Sequence, residues 1–205
     1  MTFISDKIHR ISLRMAKLNH EPVYVSLEFT PNPNTLKYSV NRTLLQTRSA
    51  ANFVDLNKAK EQSPLAAKLL AIPGLMGVMI GKDFVTVTKS EEGDWDVVHK
   101  GASQVIESHL EKEELVVLED TLSATHQGGE SGIETKIKTI LDEEVRPAVA
   151  MDGGDITFDR YEAGVVYLHM QGSCAGCPSS TATLKHGIES RLKAAIPEVL
   201  EVVAI

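Results

Sequence analysis

The chain has 205 residues, of which 42% are hydrophobic and 24% charged, and its formal net charge is −7. These values are typical of a globular protein with one large or two small domains, and the acidic charge disfavours nucleic acid as the main partner, since affinity for phosphates requires clustered Lys and Arg. The sequence has no run near the ~20 apolar residues of a membrane helix and no secretory signal. We therefore expect no membrane partner and a reducing, intracellular compartment.

Residues 1–20 form a basic N-terminal arm, in which apolar residues recur at helical spacing: Ile4, Ile8, Ile11, Met15 and Leu18. This pattern resembles an amphipathic transit peptide. The other interpretation is a short basic helix or frayed arm of a bacterial protein, and the scarcity of Ser favours it. We therefore expect a cytoplasmic location in a bacterium, with the mitochondrial matrix as the alternative.

A first α/β unit is predicted over residues 21–119. Residues 23–30 alternate and are rich in β-branched and aromatic side chains, which indicates a strand. The following letters TPNPNTLKY force a turn because of their prolines and asparagines, and residues 37–41 return as a second strand.

Helix signals follow in the same unit. Ser63-Pro64 predicts a helix start, with Ser as the N-cap and Pro in the first turn. Strands are predicted at 75–81 and 84–89, and Asp94 is predicted to cap a helix whose apolar face His109 only edges. Residues 115–120 are predicted to add a final edge strand.

Residues 120–131 are small, polar and glycine-rich, so they are predicted to be a linker. A second unit follows over residues 132–205, with the order α-β-β-α-β. Its first helix is predicted to start at Ser131 through a capping box and to end or kink at Pro147. A hairpin turns at Ala163-Gly164. The fold class predicted for the chain is therefore α+β or α/β in two small domains.

The only two cysteines, Cys174 and Cys177, lie between the hairpin and the last helix. Pro178 is predicted to open that helix, which places Cys177 at or beside its N-cap. The positive helix end favours an anion there and lowers the pKa of a thiol. Gly172 and Gly176 let the backbone approach an inorganic ligand closely. The loop is therefore suited to holding thiolates.

Three interpretations of this C-x-x-C pair remain open from the residues alone. The thiols could be buried packing residues, a thiol–disulfide redox pair, or half of a metal or iron–sulfur site that normally takes four ligands. The two nearby histidines, His169 and His186, are interpreted as bystanders. Two copies of the chain would complete a four-thiolate site across a two-fold axis.

Other polar residues near this loop have weaker signals. Asp152 and Asp155 surround two glycines, which suggests a turn with Asx bonding more than a cation site. Ser179, Ser180 and Thr181 could donate hydrogen bonds to cluster sulfides or simply cap the helix.

Residues 133–203 resemble the C-terminal domain of the NifU family, through V-R-P, D-G-G-D, G-x-C-x-G-C-P-S-S, T-L-K-x-G-I-E and P-E-V at the family's spacings. The first unit is similar to the N-terminal domain of Nfu-type proteins, through TPNPNTLKY, SPLAAKLLAIPGLMGVMIGKDFVTVTK and WDVV. Ser173 stands where many relatives have Ala, a small-for-small difference that leaves the motif intact.

This resemblance implies a non-enzymatic iron–sulfur cluster scaffold or carrier. The expected cofactor is a [4Fe–4S] cluster held by Cys174 and Cys177 of two chains, so the loaded protein is expected to be a homodimer. The expected partners are apo iron–sulfur client proteins and the upstream cluster-assembly machinery. The alternatives are a thiol–disulfide oxidoreductase and a structural zinc-bridged dimer.

Overall fold

The computed structural model describes residues 21–47, 49–118, 132–176 and 178–205. The predicted N-terminal arm, the predicted linker, the predicted cap Ser131 and Cys177 lie outside these ranges. The elements are β1 (Val25–Phe29), β2 (Thr35–Val40), β3 (Ala50–Phe53), α1 (Leu56–Gln62), α2 (Pro64–Leu70), β4 (Leu75–Gly81), β5 (Phe84–Lys89), α3 (Trp95–Glu111), α4 (Gly132–Ile140), a π-helical turn (Leu141–Val145), α5 (Arg146–Met151), β6 (Gly154–Glu162), β7 (Val165–Gly172), α6 (Pro178–Ala195) and β8 (Glu201–Ala204). Two sheets with helices confirm the predicted mixed fold class.

The first sheet has five strands in the order β1-β2-β5-β4-β3, all antiparallel. Alternation along β2 separates its two faces. Leu36, Tyr38 and Val40 are buried in the core that α1, α2 and α3 cover. Thr35 and Lys37 belong to the opposite face, together with Thr86 of β5, which lies opposite Lys37 in the strand register. This second, polar face is the one that contacts the C-terminal unit.

Local capping signals place the helices of this first unit as predicted. The hydroxyl of Ser63 accepts from the backbone N–H of Ala66 at 3.0 Å, and Pro64 follows at the first helical position. The carboxylate of Asp94 accepts from the N–H of Asp96 at 2.9 Å at the start of α3. These side chains satisfy donors that a helix N-terminus otherwise leaves without an intrahelical partner.

Two predictions for this unit are wrong. Residues 115–118 form no strand; the N–H of Leu118 instead donates to the carbonyl of Gln62, beside the α1–α2 junction. His109 does not merely edge the apolar face of α3; only 1% of it is exposed. The sequence patterns also missed β3 and α1.

The second sheet has three strands in the order β6-β7-β8. β6 and β7 form the predicted hairpin, in which Ala163 and Gly164 both have positive φ angles, of 49° and 86°. β8 runs parallel to β7 and closes the sheet, as the α-β-β-α-β order requires. A separate hydrophobic cluster lies under this sheet and includes Ile137, Leu168 and Leu192.

The helical segment before this hairpin changes geometry where the sequence predicts a break. A π-helical turn over Leu141–Val145 separates α4 from α5, and Pro147 lies in the first turn of α5. Proline lacks the N–H that a continuous α-helix would use here. No helix in the described ranges is both long and apolar enough to cross a membrane.

Candidate functional site: the cysteine loop

The cysteine loop, residues 172–176 of the described chain, connects the end of β7 to the start of α6. Gly172 and Gly176 have φ angles of 60° and 78°, in the left-handed region that favours glycine. The N–H of Cys174 donates to the carbonyl of Gln171 at 3.2 Å, and the N–H of Ala175 donates to the carbonyl of Gly172 at 3.2 Å. These turns fold the loop back on the end of β7.

Cys174 faces inward in this loop. It is 5% exposed and belongs to the hydrophobic cluster of the second unit. A Cβ added at Gly154 would lie 2.2 Å from its sulfur, so the sulfur occupies space that only a glycine leaves open. Burial raises the pKa of the Cys174 thiol to about 11, although a hydrogen bond from Ser173 acts in the opposite direction. Cys174 is therefore a protonated thiol at neutral pH in this conformation.

The remaining predicted site residues have different outcomes. Cys177 lies outside the described residues, so its role and the predicted effect of the helix N-terminus on its thiol stay predictions. His169 contacts Asp159 across the hairpin at 3.3 Å, and His186 is exposed on α6. Their interpretation as bystanders stays a prediction. Within the described ranges, His, Cys, Asp and Glu form no group of three that could hold a metal ion.

Asp155 has a partner that the sequence interpretation missed. Its two carboxylate oxygens accept from Nε and Nη2 of Arg146, both at 2.9 Å. Arg146 also donates to Asp142 at 2.8 Å and to the hydroxyl of Ser49 in the first unit. Burial alone would lower the pKa of Arg146, but the hydrogen bonds and charges of Asp155 and Asp142 outweigh it and raise that pKa. The bidentate ion pair explains why an acidic residue is 4% exposed here.

Three side chains of the first unit reach the backbone around the cysteine loop. Nδ2 of Asn32 donates to the carbonyls of Ala175, at 2.7 Å, and Ser173, at 3.4 Å. The hydroxyl of Thr86 donates to the carbonyl of Gly153 at 2.7 Å, and Nζ of Lys37 donates to the carbonyl of Met151 at 3.0 Å. All three donors are at most 9% exposed.

The glycines of the second unit make this close approach possible. A Cβ on Gly153 would lie 2.9 Å from Oγ1 of Thr86, and a Cβ on Gly172 would lie 2.8 Å from Cε of Met79. A side chain at Gly153 would therefore press on the first unit, whereas one at Gly172 would first meet the carbonyl of Gly153, 2.5 Å away in its own unit. The sequence signal for the contact was therefore the glycine pattern itself, but a single sequence does not say which distant residues the glycines face.

Two family models match the chain. A model described as "Scaffold protein Nfu/NifU N terminal" matches residues 25–113, and a model described as "NifU-like domain" matches residues 137–203. Together they define the class of protein: an Nfu-type N-terminal domain followed by a NifU-like domain.

Curated relatives cover most of the chain. A Drosophila yakuba protein named "NFU1 iron-sulfur cluster scaffold homolog, mitochondrial" is 38% identical over 191 residues, which are 92% of this chain and 67% of the relative. The human protein of the same name is 40% identical over 184 residues, which are 86% of this chain and 70% of the relative. The chain belongs to the NFU1 family of iron–sulfur cluster scaffold proteins. Its relatives are named as scaffolds, in agreement with the predicted non-enzymatic role.

Solved structures show lesser similarity. A solution structure of a NifU-like protein from Saccharomyces cerevisiae is 24% identical, with a TM-score of 0.42, and the match covers 48% of this chain and 89% of that one. A crystal structure of a Staphylococcus aureus protein is 20% identical, with a TM-score of 0.35, over 42% of this chain and 99% of that one.

Proposed function

We propose that this scaffold protein assembles one [4Fe–4S] cluster between two chains, on Cys174 and Cys177 of each, and passes the cluster to apo-proteins. The observation that carries the proposal is the number of cysteines in this member of the family. The chain has only two cysteines, whereas a [4Fe–4S] cluster takes four protein ligands, which are usually thiolates. Two copies related by a two-fold axis supply four thiolates from identical surfaces.

Binding this cargo requires changes at Cys174. Iron binds the thiolate, so the thiol gives up its proton when the Fe–S bond forms. Its sulfur also has to leave the pocket over Gly154. Cys174 is only 5% exposed, so in this position its sulfur cannot reach a cluster shared with a second chain. The described conformation is thus a closed form of the loop, and cluster binding uses an open form.

Transfer follows as a ligand exchange. A thiolate of the client forms a bond to iron as one Cys174 or Cys177 thiolate leaves and takes up a proton, with no change in the oxidation state of the cluster. Repeating the exchange moves the cluster from the carrier to its client. Each chain holds only two of the four ligands, so separation of the two chains assists release. The partners are therefore apo iron–sulfur clients and the assembly machinery that supplies iron and sulfide.

Anaerobic reconstitution tests the proposal. Wild-type protein is expected to bind iron and sulfide as one [4Fe–4S] cluster per two chains, measured by metal and sulfide analysis together with native mass. Cys174→Ser and Cys177→Ser are expected to lose both the cluster and the dimer. Ser173→Ala, a small-for-small change beside the ligand, is the matched control and is expected to keep both.

Other outcomes identify the alternatives. Zinc without sulfide in a wild-type dimer would indicate a structural zinc site. A monomer that turns over in a disulfide-reduction assay without sulfide would indicate an oxidoreductase. Wild-type cluster content in a variant that carries both Cys174→Ser and Cys177→Ser would refute the assignment of both ligands.

The names of the relatives also support a proposal for the location of the protein. Relatives from Drosophila yakuba and human are named as mitochondrial, which supports the matrix alternative and gives no support to a bacterial cytoplasm. We propose the mitochondrial matrix, and cell fractionation with detection of the native protein tests it, since recovery outside mitochondria would reject the proposal.

A further inference from the structure

Asn32 is fixed within the first unit before it reaches the cysteine loop. Its carbonyl accepts from the N–H of Thr35 at 3.0 Å, and its side-chain oxygen accepts from the N–H of Asn34 at 3.0 Å. The turn is tied to the sheet by the N–H of Lys89, which donates to Asn34 at 2.9 Å, and to α3 by the indole N–H of Trp95, which donates to Pro33 at 3.2 Å. The amide nitrogen of Asn32 is therefore a preorganised donor.

That donor bridges the two sides of Cys174. The carbonyls of Ser173 and Ala175 belong to the residues immediately before and after the cysteine, and both accept from Nδ2 of Asn32. Moving the sulfur out of the pocket over Gly154 shifts the peptide groups that carry these carbonyls. Asn32, which is 2% exposed, therefore opposes the movement that the open form requires.

Thr86 and Lys37 hold the adjoining turn. Thr86 binds the carbonyl of Gly153, and this same carbonyl accepts from the N–H of Ser173 at 3.1 Å, so the turn and the cysteine loop are joined directly. Lys37 binds the carbonyl of Met151 while it pairs with Glu28 at 2.9 Å. Each contact has a side-chain donor in the first unit and a backbone acceptor in the second.

We propose that Asn32, Thr86 and Lys37 form an interdomain clamp that holds the cysteine loop closed over Cys174, and that the first unit releases the loop when a cluster binds. The consequence for cluster binding rests on the proposed function; the clamp itself does not. Asn32 and Thr86 are positioning residues, because they act on Cys174 through the backbone that carries it. The first unit thus regulates access to the ligand that the second unit supplies.

The test measures the alkylation of Cys174 by iodoacetamide in the full-length, cluster-free protein. A Cys177→Ser background leaves Cys174 as the only thiol in the chain. Thr86→Val is expected to raise the alkylation rate by about 2- to 10-fold, the range that the loss of one hydrogen bond implies when opening precedes reaction. Asn32→Ala removes two hydrogen bonds to the loop and is expected to raise the rate by at least as much. Thr86→Val has no part in the asparagine turn, so it remains informative if Asn32→Ala perturbs folding.

Thr88→Val is the matched control. Thr88 lies two residues after Thr86 on the same strand and the same sheet face, where it pairs with Thr35 and Gly77 in the register. In Thr88→Val, the alkylation rate of Cys174 is expected to equal that in the parent protein. Global unfolding in urea is measured in parallel, so that a local opening is separated from a general loss of stability. Equal rates in the parent, Asn32→Ala and Thr86→Val would overturn the clamp.

Cluster loading provides the second readout. In proteins that keep both Cys174 and Cys177, Asn32→Ala and Thr86→Val are expected to assemble clusters faster than wild type when anaerobic iron and sulfide are supplied. Faster alkylation with no cluster in any protein, wild type included, would reject the proposed function and leave the clamp standing. Normal clusters with unchanged alkylation rates would reject the clamp and leave the proposed function standing.

Discussion

In each unit, helices cover one face of that unit's sheet. The two units differ in the size of their cores and in the groups that they contribute to their contact. Among the described residues, 21 form the buried cluster of the first unit and 12 that of the second. Around the cysteine loop, the first unit supplies side-chain donors and the second supplies backbone carbonyls, whereas Arg146 of the second unit donates to Ser49 of the first elsewhere at the contact. The smaller unit has glycines where the larger one approaches. Its ligand loop is therefore supported partly from outside its own core.

This difference predicts unequal responses to the same core deletion. We propose that residues 21–119 and 132–205 are separate domains joined by a linker at 120–131. Leu192→Ala in the second cluster and Leu69→Ala in the first each remove a fully buried side chain and are expected to cost about 2–5 kcal/mol. A smaller domain buries a smaller fraction of its surface and is less stable. Leu192→Ala is therefore expected to unfold the second unit at a much lower urea concentration than Leu69→Ala unfolds the first.

One tryptophan makes the two responses separable. Trp95, the only tryptophan in the chain, lies in the first unit, so its fluorescence follows that unit, whereas far-UV circular dichroism follows both. Leu192→Ala is expected to shift the dichroism transition more than the fluorescence transition, and Leu69→Ala to shift both. Identical shifts of the two signals in both variants would show that the chain unfolds as one domain.

The elements that the sequence predicted well depend on signals within a few residues. Ser63 and Asp94 cap their helices because an N-cap side chain binds an N–H two or three positions away. The hairpin turn at Ala163-Gly164 is equally local. The composition of the chain and the spacing of its motifs were therefore enough for the fold class.

The features that the sequence did not reveal join residues far apart in the chain. The bond from Asn32 to Ala175 spans 143 positions, and that from Thr86 to Gly153 spans 67. Asn32 also has a local role in its turn, which fully accounted for the asparagine in the sequence interpretation. The failed strand at 115–118 has the same cause: Val116 and Val117 pack on the first core, beside a helix junction that local alternation does not specify.

A smaller effect is expected from filling the space beside the ligand. Gly154→Ala places a Cβ where the sulfur of Cys174 lies, so the thiol or the strand has to shift, at a cost of about 1–3 kcal/mol for overpacking. The displaced thiol should also alkylate faster. Urea unfolding followed by circular dichroism measures the first effect, and the iodoacetamide assay measures the second.

Gly187→Ala is the matched control for that substitution. Gly187 lies inside α6 of the same unit, and an added Cβ would meet nothing within 4 Å. Replacing a glycine in a helix by alanine is expected to stabilise by about 0.5–1 kcal/mol. Similar free energies of unfolding for Gly154→Ala and wild type, with no change in alkylation, would show that Cys174 does not occupy the pocket over Gly154.

The smallest expected effect is the contribution of His109 to the pH dependence of the first unit's stability. Burial lowers the pKa of His109, and the charge of Lys68 acts in the same direction, while the carbonyl of Leu115 and the carboxylate of Glu114 oppose them. The neutral ring is accommodated by two contacts, one from Nζ of Lys68 at 3.3 Å to Nδ1 and one from Nε2 to the carbonyl of Leu115 at 3.1 Å. Lys112 adds a further positive charge nearby.

Since the unfolded chain binds a proton at His109 more readily than the folded chain, the histidine's contribution is present above its unfolded pKa, near 6.5, and is lost as the pH falls toward its lower folded pKa. His109→Gln is therefore expected to weaken the decline in stability of the first unit between pH 7 and pH 5, as measured by the urea midpoint of Trp95 fluorescence. His186→Gln, at an exposed position on α6, is the control and should leave that decline unchanged. An equally steep decline in His109→Gln and wild type would contradict a buried neutral histidine, because exposed carboxylates would then account for the whole slope.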